Sequence, residues 1–274
     1  MIKVTLTNEI LRYITEIEQN RYKVSSVKLS KTVMNKLRKN SKKKSSYASN
    51  KIEGNPLSEK QVDEVIESDE RKHYLKPEQE VRNYFLALNY LEEKVSKKEK
   101  FSTKLILDVQ KLVEKGASKE KIGLRGPMPP GVLFAVYDSK TGNPDYIPPE
   151  YCDIPGLLDE LVEYVNTTDD HPLIVAAVVH YQLVTIHPFE DGNGRTARLL
   201  SGYIMDLNGY GFNGIGSLEE YFAYDIDEYY ESIQMGLPAL YYSGRENPPH
   251  PEIWINYFLS LIHISEPTRR VVIS

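Results

Sequence analysis

The chain has one cysteine, Cys152, and one tryptophan among 274 residues. A lone cysteine rules out an intrachain disulfide and fits a reducing compartment. No apolar run approaches the roughly 18–20 residues that a bilayer-crossing helix needs. Charges at Lys3, Glu9, Arg12, Glu16 and Glu18 interrupt the first twenty residues, so they lack the apolar centre of a secretion signal. The expectation is a cytoplasmic chain without a membrane segment. Also missing are a Walker loop, a Gly-rich dinucleotide fingerprint and a His-Glu-x-x-His zinc pattern. His180 and His187 are seven apart and could share a helix face, but no third ligand accompanies them, so zinc is not expected. What remains is 41% apolar and 27% charged, enough to build one packed core.

Acidic residues are absent between Arg21 and Lys51, a stretch with eleven Lys or Arg, although the chain as a whole carries −5. An acidic body therefore bears one basic segment, which reads first as a solvated approach and second as a nucleic-acid contact. Leu6, Ile10, Leu11, Ile14 and Ile17 predict a helix over 5–19, and Val27, Leu29, Val33, Met34 and Leu37 a shorter second one. The Ser- and Lys-rich residues 41–46 read as a connector. A short helix capped at Ser45 or Ser46 would then end at Glu53, before Gly54-Asn55-Pro56. Ser58-x-x-Gln61 has capping-box spacing and opens another helix. Further helices are expected at 78–94, 105–113, 154–166, 172–186, 194–208, 217–236 and 251–263. The helix at 172–186 is apolar nearly all round and belongs at the centre of a bundle. Between them, Val132–Tyr137 and Tyr146-Ile147 flank turn chemistry and predict a hairpin. The fold class is mainly α with one hairpin.

The chemistry concentrates after the central helix, in His187-Pro188-Phe189-Glu190-Asp191-Gly192-Asn193-Gly194-Arg195-Thr196-Ala197-Arg198. Pro188 stops one helix, and Gly192 and Gly194 let backbone approach a ligand. The next helix starts near Asn193, so its free N–H groups form an anion cradle. Arg195 and Arg198, three apart, can clamp phosphate oxygens. Asp191 offers a hard oxygen for Mg²⁺. His187, titrating ordinarily near 6.5, suits a general base. Phe189 is expected to turn inward and anchor the loop.

This string resembles the signature of the Fic family, His-x-Phe-x-Asp/Glu-Gly-Asn-Gly-Arg-x-x-Arg, at every fixed position. The resemblance extends through the hairpin, Tyr146-Ile-Pro-Pro149, Leu218–Phe222 and Asp227–Tyr230, covering roughly 45–240. It implies a Fic-type helical bundle with a β-hairpin flap over the active site. It also implies Mg²⁺-dependent transfer of AMP from ATP to a Ser, Thr or Tyr hydroxyl of a target protein. In that role His187 deprotonates the hydroxyl and Asp191 holds Mg²⁺ on the α- and β-phosphates. Gly192, Asn193 and Gly194 cradle phosphate oxygens, Arg195 faces the leaving pyrophosphate, and Arg198 holds the γ-phosphate. Tyr229 and Tyr230 are candidates for the nucleotide side, and the flap would align an extended stretch of the target.

Ser49-Asn50-Lys51-Ile52-Glu53-Gly54 resembles the family's N-terminal inhibitory motif, with Ser49 and Glu53 on one helix face. By that resemblance Glu53 occupies the γ-phosphate position at Arg198. The implied organisation is a regulatory arm at 1–44, a Fic-type domain at 45–263 that includes the inhibitory helix 45–54, and a tail at 264–274 of no evident role. The ending of the chain reads as truncated or altered. Other functions stay open: removal of AMP with Glu53 orienting water, transfer of another nucleoside monophosphate, or a nucleotide-sensing regulator or nucleic-acid binder using 21–51. Expected partners are ATP and a protein target that includes the chain itself, Tyr47 being one site for self-modification. No membrane is expected, nucleic acid is the weakest partner, and a homo-oligomer remains open.

Overall fold

The structure, a computed structural model, describes residues 2–26, 29–68, 73–118, 122–137 and 142–265. Among the described residues, helices dominate: α1 (Asn8–Ser26), α2 (Lys31–Ile52), α3 (Glu59–Glu67), α4 (Lys76–Ser96) and α5 (Thr103–Glu114) precede a two-stranded antiparallel hairpin, β1 (Val136–Tyr137) and β2 (Pro144–Tyr146). Then follow α6 (Ile154–Thr167), α7 (Pro172–Ile186), α8 (Asn193–Leu207), α9 (Leu218–Phe222), α10 (Ile226–Gln234) and α11 (Glu252–Ser265). The fold class is as expected: mainly α, with one small hairpin.

The expected 172–186 helix is α7, residue for residue. Every side chain from Leu173 to Leu183 is buried, as a helix without a polar face requires. It pairs with α8, and α4, α5, α6 and α11 enclose the two. Polar side chains from the neighbours reach even the carbonyls of α7: Ser201 Oγ donates to Ala176 O at 3.0 Å and Trp254 Nε1 to Ala177 O at 2.8 Å.

Residues 41–46 are not a connector. They are the middle of α2, which runs unbroken from Lys31 to Ile52 and so crosses residues 44 and 45 without a loop. Serine is a mediocre helix former, but here its small size lets α2 pack closely against α9 and the loop before it. Ser41 Oγ donates to Gly216 O at 2.6 Å, and Ser45 Oγ lies 2.9 Å from both Ser217 Oγ and Glu219 Oε2. The basic run is tied down at 42–44, while Lys23, Lys31, Lys36, Lys39 and Lys51 are exposed. Lys42 pairs with Glu92 at 2.5 Å, Lys43 with Glu67 at 2.7 Å and Asp63 at 3.3 Å, and Lys44 with Glu220 at 3.0 Å. The acidic faces of α3, α4 and α9 take up this charge.

Other boundaries moved for local reasons. The helix expected over 5–19 begins at Asn8, beyond Leu6, which is exposed, and continues to Ser26. The 217–236 pattern divides into α9 and α10 because Asp225 caps a new start, accepting from the Glu228 N–H at 2.9 Å. The hairpin strands are shorter than Val132–Tyr137 suggested. The second strand runs on into Pro148 and Pro149, which have no N–H to offer a ladder, and Ile147 bonds instead to Ala239 and Tyr241. The hairpin tip at 138–141, Val27 of the second expected helix and residues 266–274 of the tail lie outside the described residues.

Candidate active site

Helix α7 delivers His187 as its C-cap in the left-handed region, at φ 48°. That conformation is costly for a non-glycine residue and is typical of functional sites. The surroundings hold it there. Arg125 donates through Nε to the His187 carbonyl at 2.8 Å, its own N–H reaches Pro188 O at 2.9 Å, and a second guanidinium nitrogen reaches Pro149 O at the base of the flap. His187 Nδ1 lies 3.3 Å from Val184 O. A carbonyl can only accept, so Nδ1 carries the proton and Nε2 keeps its lone pair. Burial pushes the imidazole down to about 4, against the upward pull of Val184 O and of the Glu53 and Asp191 carboxylates. The ring is neutral at pH 7, the state a base requires.

The loop that follows is closed by its own side chains. Phe189 is fully buried, as expected. Asn193 bonds the Phe189 backbone twice, accepting from N–H at 3.0 Å and donating to C=O at 2.8 Å. Its amide therefore builds the cradle, leaving the backbone to face a ligand. Gly192 has φ +80°, and a Cβ there would come within 2.6 Å of Glu114 Oε1, so both conformation and space require glycine.

Arg198 projects from the first turns of α8 and is almost wholly buried. Its Nε donates to Ser49 Oγ at 2.8 Å, and its Nη2 to Ser49 O at 3.1 Å and Glu53 Oε1 at 2.5 Å. Burial is the largest single influence and works against its charge, but Glu53, with Tyr229 and Tyr84, together hold the guanidinium above its ordinary pKa. Glu53 sits where it does because α2 ends in a Schellman motif. Gly54, at φ +79°, donates to Lys51 O, and Asn55 N–H reaches Asn50 O at 3.0 Å. The carboxylate covers the N-terminus of α8 so closely that a Cβ on Gly194 would lie 2.4 Å from Glu53 Oε1. Ser49, Glu53, Gly194 and Arg198 are thus brought together.

Arg195 is not with them. The three-residue spacing suggested a shared clamp, but its guanidinium turns toward α5. There Nη2 meets Glu114 Oε1 at 2.9 Å and Asp191 Oδ1 at 3.3 Å, and Nη1 lies 4.0 Å from Glu80. Buried Glu114 supplies the stronger pull, and burial in turn pushes its carboxyl up to about 7. Glu114, Glu80 and Arg125 escaped the sequence reading, and His180 entered it only as a metal-ligand candidate that was set aside. Glu114 and Glu80 looked like ordinary helix charges, and only the flanking Gly123 and Gly126 hinted that Arg125 sat in a special turn.

His187, Arg198, Glu53 and the flap residues Val136 and Tyr146 line a cavity of about 170 Å³. The rings of Phe134 and Tyr146 stand 6.0 and 6.4 Å from that of His187. Of the two tyrosines, Tyr230 is partly exposed on the cavity wall, whereas Tyr229 is buried with its hydroxyl 3.5 Å from Arg198 Nη1.

A profile of the Fic/DOC family matches residues 100–205, which include the flap and the whole loop from His187 to Arg198. Over these residues the chain carries a Fic/DOC domain. It is 27% identical over 206 residues to the protein adenylyltransferase Fic of Drosophila grimshawi, covering 73% of this chain and 40% of that protein. A Fic family protein from Desulfovibrio desulfuricans G20 superposes with a TM-score of 0.76 at 22% identity, covering 99% of this chain and 76% of the other. Fic-1 of C. elegans (residues 134–508) does so with 0.71 at 22% identity, covering 96% and 73%. The chain spans about two fifths of the length of the curated relatives it matches.

Asp191 is the metal-ligand candidate of the Fic domain. Its Oδ1 accepts from Gly192 N–H at 2.8 Å and from Arg195, and its side chain is about one third exposed at the cradle. No cluster of three His, Cys, Asp or Glu side chains suited to a metal occurs among the described residues. One carboxylate beside an anion cradle fits Mg²⁺, which takes few protein ligands and completes its shell with phosphate oxygens and water.

Proposed function

We propose that this chain transfers AMP from ATP to a hydroxyl of a protein target and that Glu53 restrains it. The observation that carries the reading is the meeting of a neutral His187 Nε2, the N-terminus of α8 and Arg198 at one cavity beneath the flap. Relatives bearing the name protein adenylyltransferase support it. In this reading Asp191 would hold Mg²⁺, which supplies charge neutralisation of the phosphates. His187 Nε2 takes the proton of the target hydroxyl while that oxygen bonds to the α-phosphorus. The bond from phosphorus to the bridging oxygen breaks, and pyrophosphate leaves with its electron pair. The α8 backbone N–H groups orient the phosphate chain, and Arg198 binds its γ end once Glu53 withdraws. Arg195 then serves chiefly to hold the Asp191 carboxylate. The flap, with its exposed Tyr137, is the edge along which an extended target segment would lie.

Incubation of purified protein with ATP and Mg²⁺, followed by intact-mass and peptide mass spectrometry, tests this. An added AMP that increases with Glu53→Gly and disappears with His187→Ala supports the reading. No AMP on the chain or on proteins of a lysate, even with Glu53→Gly, overturns it. Because Glu53 and His187 line the same cavity, a second reading has Glu53 orient water for AMP removal. Pre-modified target, offered without ATP, separates that activity from transfer.

A further inference from the structure

His180 lies at the centre of α7, one helical stretch away from the reactive loop, and has no exposure. Four aromatic rings box it in: Trp254, Phe222, Tyr229 and Phe258, with centroids 5.0, 5.4, 5.8 and 6.2 Å away. Its Nε2 is 2.9 Å from the Tyr229 hydroxyl, and that hydroxyl is the one facing Arg198 Nη1 at 3.5 Å. His180 Nδ1 has no hydrogen-bond partner among the described residues.

The chemistry of these groups orders the chain. A guanidinium can only donate, so the Tyr229 oxygen is the acceptor toward Arg198. With that oxygen accepting from Arg198, the phenolic proton can be donated to His180 Nε2, in the tautomer in which Nε2 carries the lone pair. Nδ1 then takes the remaining proton, enclosed among the aromatic rings. Burial and the charge of Arg198 both hold this histidine neutral, well below its ordinary pKa. A rigid aromatic box therefore fixes His180, His180 fixes the rotor of Tyr229, and Tyr229 presents a lone pair to one arm of Arg198.

We propose that His180, acting through the Tyr229 hydroxyl, is a positioning residue that sets the fork of Arg198 for the terminal phosphate of ATP. This rests on the reading of Arg198 as the γ-phosphate side chain. Ser49 holds Nε from one side and the Tyr229–His180 relay holds Nη1 from the other, while the arm that Glu53 occupies is the one a phosphate would take.

The test uses the full chain carrying Glu53→Gly and measures ATP and ADP affinities by calorimetry with Mg²⁺. Tyr229→Phe and His180→Phe are each expected to weaken ATP roughly five- to tenfold, as losing one hydrogen bond to a charged group does, and ADP less than twofold. The double variant should be no weaker than either single one, because both break the same chain. His180→Gln, whose side-chain amide reaches the Nε2 position, should restore most of the ATP affinity. Parallel weakening of ATP and ADP, or unchanged ATP affinity in Tyr229→Phe, overturns the proposal. The nucleotide-free protein gives an independent measure: hydrogen exchange of the Arg198 Nε–H by ¹⁵N NMR should quicken in both variants, and unchanged exchange also overturns the relay. If the Glu53→Gly parent binds ATP no better than ADP, the phosphate role of Arg198 fails by itself, and the NMR measurement decides whether the relay holds the side chain.

Discussion

Glu53 Oε1 stands 2.5 Å from Arg198 Nη2 and close over Gly194, so one carboxylate at the C-cap of α2 pairs with the arginine and crowds the N-terminus of α8. In the proposed function a terminal phosphate would take the same place at Arg198, so Glu53 and nucleotide would compete by charge and by volume.

Glu53→Gly should tighten Mg-ATP binding by roughly tenfold or more, measured by calorimetry, because the competitor for Arg198 is gone. The same substitution should cost about 2 kcal/mol of stability. That is less than a fully buried pair would lose, since Glu53 is one third exposed. Tighter binding together with a lower Tm marks a restraint. A lower Tm with unchanged affinity would make the contact purely structural.

The pH dependence follows from His187. Its imidazole titrates at about 4 in place of the ordinary 6.5, so the neutral base persists as pH falls from 7 to 5. The acid limb of kcat/KM for Glu53→Gly protein should accordingly lie below pH 5. A limb centred near 6.5 would show that the histidine is solvated during turnover. For stability the sign runs the other way. Between 6.5 and 4 the unfolded chain takes up a proton that folded His187 does not, so stability falls as pH drops through that window.

The contrast between α7 and α2 shows which parts of the fold were legible in the sequence. Thirteen buried residues make α7 apolar on every side, and its bounds followed from composition and Pro188 alone. In α2 local preference and tertiary packing disagree. Ser41, Ser45 and Ser46 argue for a break; Ser46 bonds back to Lys42 O within the helix, whereas Ser41 and Ser45 find their partners in Gly216, Ser217 and Glu219, far along the chain. The site divides in the same way. His187, Phe189, Gly192 and Gly194 act through backbone shape, which spacing encodes. Arg195 does not, because its direction depends on a glutamate eighty-one positions earlier.

Gly194→Ala separates two roles of the α8 terminus. A methyl group there would meet Glu53 Oε1 at 2.4 Å, and that side chain can swing aside. The restraint would loosen, yet the methyl would remain where a phosphate oxygen must come. Gly194→Ala should therefore bind ATP no better than wild type, and adding Glu53→Gly should not recover the affinity of Glu53→Gly alone. Recovery to that level would place the phosphates elsewhere on the loop.

Glu114 offers the last test, since it is the buried carboxylate that holds Arg195. Glu114→Leu leaves that guanidinium with Asp191 as its close anionic partner, and two of its nitrogens already lack hydrogen-bond partners among the described residues. Removing one side of a buried pair costs about 3 kcal/mol, so Tm should fall by roughly 6–12 °C in a chain of this size. Glu114→Gln retains an acceptor and behaves differently with pH. The folded-state pKa of Glu114 is raised from 4.5 to about 7, so folded protein holds a proton there that the unfolded chain has lost. That contribution is present below pH 4.5 and disappears as pH rises through 7. Calorimetry at pH 5 and pH 8 should then show the glutamine variant gaining on wild type at the higher pH. A pH-independent difference between the two would mean that Arg195 keeps Glu114 ionised throughout, and that the pair is a simple ion pair rather than one poised to share a proton.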